Sequence, residues 1–201
     1  MKLIIDIGNT AVKIALFKGK QLQNTAIFDE CTLKNILGFV NKHDISGTII
    51  SSVKDINADI KKLIHHFDAL FLDFNTLLPI IIDYKTPNTL GNDRIAAVVG
   101  ASVLFPKQDV LVFDAGTCLT IDFITKEKVY KGGRISPGIE MRYKALHQFT
   151  NQLPLCNYSS ETVLMGYDTE SSIISGVQQG ILSEVREIIN VYKKENKETI
   201  I

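Results

Sequence analysis

KLIIDIGNTAVKIALF, residues 2–17, and DVLVFDAGTCLTIDFI, residues 109–124, are two versions of one pattern. Each runs from an apolar stretch through an aspartate, one apolar residue, a glycine and a small polar residue into a second apolar stretch. Setting Asp6 on Asp114 brings Gly8 onto Gly116. In the first copy Val12, Ile14 and Leu16 alternate with Ala11, Lys13, Ala15 and Phe17, and a period of two is the signature of a strand. Both copies therefore read as strand, acidic turn, strand. An internal repeat weighs more on the fold than any single element does.

Around the first copy, polar KGK turns the chain and QLQNTAIF returns as a third strand. Residues 32–43 are predicted to be a helix, with Thr32 as N-cap and Leu33, Ile36, Leu37 and Val40 on one face. GTIISSV reads as a buried strand, residues 55–67 as a second amphipathic helix and ALFLDF as a strand. Residues 79–94 carry the turn chemistry of Pro79, Pro87 and Gly91 rather than a period. Residues 93–105 form a nearly all-apolar helix, expected to be buried and ended by Pro106. After the second copy, KEKVYKGG gives a turn and strand, GIEMRYKALHQF a helix, and residues 171–194 one or two more helices. The expected fold is α/β: two β-β-β-α domains, 1–107 and 108–201, joined near 105–110, with an active site in a cleft between them.

Composition narrows the function. Twenty-two basic and 22 acidic residues leave no net field for nucleic acid or an anionic membrane. Three cysteines, Cys31, Cys118 and Cys156, without a CxxC pair, argue against a disulfide framework or a zinc site. The apolar start is too short for a signal peptide or a membrane span. A cytoplasmic protein is expected.

The two turns carry the candidate chemistry. A glycine without a side chain, free backbone N–H groups and hydroxyls suit phosphate oxygens. The aspartates can hold a metal ion directly or through water, as phosphoryl transfer requires. Lys13 leaves the first turn and either meets a phosphate or faces solvent. In GNDR, residues 91–94, Asp93 reads both as a helix cap and as a general base for a substrate hydroxyl, with Arg94 holding an anion. GGRISPG, residues 132–138, either lets a ligand approach the backbone closely or marks a bulge and a helix start. His43, His65, His66 and His147 have no ligand spacing, and Cys118 has no partner in sequence that would make it a nucleophile.

With these residues in place, the sequence resembles type III pantothenate kinases of the acetate and sugar kinase/Hsp70/actin superfamily. The resemblance runs through DIGNT with Lys13, Tyr84 with GNDR, DAGTCLT, GGRISPG, ALHQFTNQLP and GYDTESSIISG, in family order. It implies duplicated ribonuclease H-like (actin-like ATPase) domains, each a mixed sheet with flanking helices. It implies ATP-dependent phosphorylation of the 4′-hydroxyl of pantothenate, the first step of coenzyme A synthesis. Asp6, Gly8, Asn9, Thr10, Lys13, Gly116 and Thr117 would bind ATP and its phosphates. Asp6 would lie near Mg²⁺, directly or through water, and Asp114 would bind a monovalent cation, K⁺ or NH₄⁺. Tyr84, Gly91, Asn92, Asp93, Arg94 and Thr169 would contact pantothenate, with Asp93 as catalytic base. The resemblance also implies a homodimer.

Two departures accompany it. Cys118 stands where the family usually has a small residue such as alanine. The sequence ends at KENKETII, where in the family an apolar strand leads into a Thr-Gly-Gly segment and a closing helix, so the second domain is expected to be truncated. The alternatives are another small-molecule kinase or phosphohydrolase of the superfamily, or a catalytically impaired relative acting as a binding or regulatory protein.

Overall fold

The first acidic turn grows out of β1 (Lys2–Ile7), the central strand of a five-stranded sheet. β2 (Val12–Lys18) and β3 (Gln21–Phe28) follow as antiparallel neighbours on one side. β4 (Gly47–Ser52) and the two-residue β5 (Leu70–Phe71) add in parallel on the other, giving the order β3-β2-β1-β4-β5. The computed structural model describes residues 1–41 and 43–201. These form two compact units, Met1–Pro79 with Lys85–Ala97, and Ile80–Tyr84 with Val98–Ile201.

Alternation in the sequence becomes burial in the first unit. Leu3, Ile5 and Ile7 of β1, Val12, Ile14 and Leu16 of β2, and Ile50 of β4 form one core. Ile36 and Val40 of α1 (Leu33–Val40) and Ile60 and Leu63 of α2 (Ala58–Phe67) pack with them. Each such aliphatic side chain contributes about 1.5–3 kcal/mol by leaving water. Thr32 caps α1 by accepting from the Asn35 N–H. Leu37, expected on the buried face, is exposed, and Phe39 packs against the core instead. Lys42, within the predicted helix, lies outside the described residues. α2 begins at Ala58 rather than 55, because Asn57 is the residue whose side chain accepts from Ile60 N–H.

The second unit repeats the plan. β7 (Val110–Ala115), β8 (Cys118–Ile124) and β9 (Val129–Pro137) are consecutive antiparallel strands, and α4 (Ile139–Gln148) follows, as α1 follows β3. Ile200 then pairs with Val110 in parallel, as β4 pairs with β1. The duplicated α/β architecture expected from the paired turns is present. One feature escaped the period reading: β6 (Ile81–Ile82), inside the stretch expected to be all turn, pairs in parallel with β9. Two residues are too few to show a period.

α3 (Asn92–Leu104) was expected to be buried throughout. Ile95 and Val98 are, but its last turn leaves Val103 and Leu104 56% and 74% exposed. Residues 171–194 belong to one helix, α5 (Thr169–Glu195). GGRISPG divides between the last part of β9 and the start of α4. Its Gly132 has φ +106°, a left-handed conformation that side-chained residues rarely adopt, next to a register shift at Phe123/Ile124.

A polar knot ties the second unit together. Arg142 of α4 donates from Nε to Pro137 O (2.8 Å) at the end of β9 and from its guanidinium to Glu184 of α5. Burial pushes the Glu184 carboxyl up. Hydrogen bonds involving Arg142 and Ser136 outweigh it, leaving the group below its ordinary value. Glu184→Gln is therefore expected to cost about 1–3 kcal/mol in urea unfolding at pH 7. The depressed folded-state pKa sets the sign of the pH dependence. The contribution is full above the ordinary carboxylate pKa of about 4.3 and is lost as pH falls through the folded value, where wild type and variant converge.

Candidate functional site

Asp6 is the penultimate residue of β1. Across the antiparallel pair it faces Lys13, and across the parallel pair it faces Ser51. The turn that follows is closed by its own backbone, Gly8 N–H donating to Ala11 O at 3.0 Å. That N–H was expected to be free for a phosphate, and the structure spends it on the turn instead. A Cβ at position 8 would come within 3.1 Å of the same carbonyl, so the tightness of the turn favours glycine there. Asn9 and Thr10 form its exposed tip.

GNDR arrives at the same edge of the first unit. Asn92 opens α3, and its side-chain amide donates to Leu72 O at 2.8 Å and Ser52 O at 3.4 Å. Ser52 is the register partner of Ile7, and Val53 N–H donates to Ile7 O. The helix start is thus tied to the strand ends that carry the first turn. This brings Gly91, Asn92, Asp93 and Arg94 to the edge that holds Asp6, Gly8, Asn9, Thr10 and Lys13. Asn92, expected among the substrate contacts, commits its amide to backbone carbonyls and fixes the start of the helix. Asp93 Oδ1 accepts from Arg94 N–H at 2.8 Å and lies over Gly91, where a Cβ would collide with it. Asp93 lies inside the first turn of α3 rather than at its N-cap, and its carboxylate satisfies one of that turn's N–H groups, which leaves a second oxygen for other work. Arg94 is 6% exposed.

In the second unit, Asp114 lies near the end of β7 and pairs with Thr120. Its turn is shorter, and Gly116 N–H donates to Cys118 O at 2.9 Å, so this N–H is also used internally. Gly138, the last residue of GGRISPG, donates to Thr117 O at 3.1 Å and is pressed so closely on the turn that a Cβ would collide with the Gly116 and Thr117 carbonyls. That is why glycine stands there. Tyr84 packs beside Gly132, where a Cβ would sit 3.6 Å from its ring, and its ring centroid is 5.9 Å from that of Tyr130. The close approach that GGRISPG permits is therefore one between parts of this chain. Sequence reading singled out the glycines but had no means to name what they touch.

Thr169 is the first residue of α5. Asp168 caps that helix by accepting from Ser171 N–H at 2.7 Å and from the Ser171 hydroxyl, and these bonds hold its carboxyl below the ordinary range. D-T-E-S in the sequence was a legible capping signal. Thr169 lines an open groove of 770 Å³ with Leu146, Leu153, Tyr167 and Ile173.

Among the described residues, no three His, Cys, Asp or Glu side chains gather to cage a metal ion. Magnesium held through one carboxylate, water and substrate phosphates needs no cage. The single strand-end carboxylate of Asp6 fits that mode. Asp114 is exposed and offers one hard oxygen donor group, which suits a monovalent cation. Cys31 is no nucleophile: burial, with Asp59 nearby, pushes its thiol up to about 11.

Comparison with known proteins decides the lineage. A family model of type III pantothenate kinase matches residues 2–191. A type III pantothenate kinase of Bacteroides fragilis strain YCH46 is 43% identical over 205 residues, covering 100% of this chain and 84% of its own length. One from Cytophaga hutchinsonii is 46% identical over 193 residues, covering 96% and 81%. The chain belongs to the type III pantothenate kinase family. A crystal structure from Campylobacter jejuni, assigned to the Baf family of transcriptional activators, superposes with a TM-score of 0.58 at 22% identity. It covers 92% of this chain and 78% of its own, and shows the shared fold. Within this type III pantothenate kinase sequence, GGRISPG is spent on packing the second turn. Gly138→Ala is expected to cost about 1–3 kcal/mol, because the atoms in the way are backbone carbonyls that cannot rotate aside. Chemical denaturation of the variant checks this.

Proposed function

We propose that this chain transfers the terminal phosphoryl group of ATP to the 4′-hydroxyl of pantothenate, in the cytoplasm and as a homodimer. Family membership supports the reaction. The observation that carries the mechanism is the seat of Asp93: the first turn of α3, one oxygen fixed by Arg94 N–H, tied through Asn92 to the strand ends beside Asp6. A general base has to be held still to work, and this carboxylate is anchored on both sides in sequence.

In this reading Asp93 takes the proton of the attacking hydroxyl. Arg94, together with Tyr84, Gly91, Asn92 and Thr169, holds pantothenate, with the guanidinium matched to its carboxylate. Asn92 acts by placing its neighbours. Asn9, Thr10, Lys13, Gly116 and Thr117 meet ATP, while Gly8 shapes the first turn. Mg²⁺ at Asp6 and K⁺ or NH₄⁺ at Asp114 would offset the charge of the phosphates. Three free cysteines favour a reducing compartment. For the homodimer, the support is Leu164, Met165 and Tyr167, which are 77%, 81% and 85% exposed within one short segment.

The test is coupled ADP release with ATP, Mg²⁺ and pantothenate, in potassium and in sodium. Pantothenate-dependent release, faster in potassium, is expected. Asp93→Asn is expected to lower turnover by roughly 100-fold or more while ATP still binds, since asparagine keeps an oxygen for the Arg94 N–H. ADP release that ignores pantothenate would remove the substrate assignment. Near-normal turnover in the variant would remove Asp93 from the mechanism.

A further inference from the structure

Three strands place a polar row on one face of the first unit's sheet. Asp6 of β1 is in register with Lys13 of β2 on one side and with Ser51 of β4 on the other. Register partners point to the same face, and their immediate neighbours point to the opposite one. Ile5, Ile7, Val12, Ile14 and Ile50 are those neighbours or lie in step with them, and all are buried in the core with α1 and α2. The row Lys13–Asp6–Ser51 therefore lies on the face away from that core, at the edge that carries the Gly8 turn.

Ser51 is the buried end of this row. It is 7% exposed, and its Oγ has no hydrogen-bond partner. The next residue shows what satisfaction looks like: Ser52 Oγ donates to Lys54 O at 2.9 Å and accepts from Lys54 N–H at 3.0 Å. A buried hydroxyl left without a partner is unfavourable in the free protein, and such groups are rare enough to need a reason. Thr48 Oγ1 on the same strand is also unpartnered, but its side chain lies on the opposite, core face. Ser51 differs in being next to the Asp6 carboxylate, with the Lys13 ammonium one strand further along the row, groups that the proposed reaction assigns to the metal and phosphates.

We propose that the Ser51 hydroxyl is a binding group for magnesium-nucleotide, completing its hydrogen bonding with an oxygen of that ligand beside Asp6. The oxygen belongs to a phosphate or to a metal-bound water. This rests on the reading of Asp6 as the magnesium and phosphate residue. A hydroxyl can donate to either oxygen, and neither Asp6, a carboxylate acceptor, nor Lys13, a donor fixed one strand further away, duplicates it.

Isothermal titration with ATP in Mg²⁺ and again in EDTA, on wild type, Ser51→Ala and Asp6→Asn, tests the proposal. Ser51→Ala is expected to weaken Mg²⁺-ATP binding roughly tenfold, the size of one lost hydrogen bond to a charged ligand. Its melting temperature should be no lower than wild type, because no bond in the free protein is lost. A defect confined to Mg²⁺ assigns the oxygen to metal-bound water, and a defect in both conditions assigns it to phosphate. Wild-type affinity in Ser51→Ala, with Asp6→Asn weakened, overturns the Ser51 assignment alone. Wild-type affinity in Asp6→Asn overturns the reading beneath it as well. A clear fall in melting temperature in Ser51→Ala would make the hydroxyl a structural group and also overturn the assignment.

Discussion

One backbone hydrogen bond closes each acidic turn, Gly8 N–H to Ala11 O in the first unit and Gly116 N–H to Cys118 O in the second. These two bonds set where β1 and β7 stop and where their aspartates stand. They also restrict how the turns can bind an anion. A turn that has used its glycine N–H must offer the remaining groups of its tip and the side chains beside it. If the proposed assignments hold, charge from Lys13 and a metal ion at Asp6 would then matter more than a cradle of glycine amides. On the proposed reading, phosphate binding would accordingly depend on strand register as much as on the loop.

The same plan is finished differently in the two units. In the first, the turn spans four residues, and the neighbouring strand end is held against a helix start by the Asn92 amide. In the second, the turn is tighter, and a glycine from the end of β9 packs on its carbonyls. A side-chain amide can be exchanged for another polar group with some adjustment. A glycine in contact with backbone oxygens can gain even one carbon only by displacing the backbone. The second turn is therefore the less forgiving of the two, while the first has more room for variation near its tip.

Rigidity is distributed with the same logic. Gln178, nearly buried on α5, accepts from Tyr143 Oη at 2.8 Å and from Ser159 N–H at 2.9 Å, and donates to Ser159 O. Arg142 joins β9 to α5 nearby. The long stretch between α4 and α5 is thus pinned to the helices by satisfied polar groups, which cost little when every partner is present. Its exposed apolar residues include Leu164, whose carbonyl accepts from Ser175 Oγ at 2.8 Å, and Tyr167, whose N–H donates to Ser171 Oγ at 3.0 Å.

Periodicity and the repeat made much of this legible. The strands around both turns, the cap at Thr32, the helices after the third strands and the choice of Asp6, Asp93 and Asp114 as candidates all follow from local patterns. Those patterns are visible because alternation and capping are consequences of the next few residues only. What the sequence by itself determined was the duplicated α/β plan and which residues are candidates. Only the tertiary structure decided that Ile81–Ile82 is a strand, that Asn92 anchors a helix rather than presenting its amide outward, that Gly138 serves the second turn and that Ser51 stands beside Asp6 with an unsatisfied hydroxyl. Each of these depends on a partner tens of residues away. Register and close packing between distant segments leave no period in the chain, so they become readable once the sheet has formed.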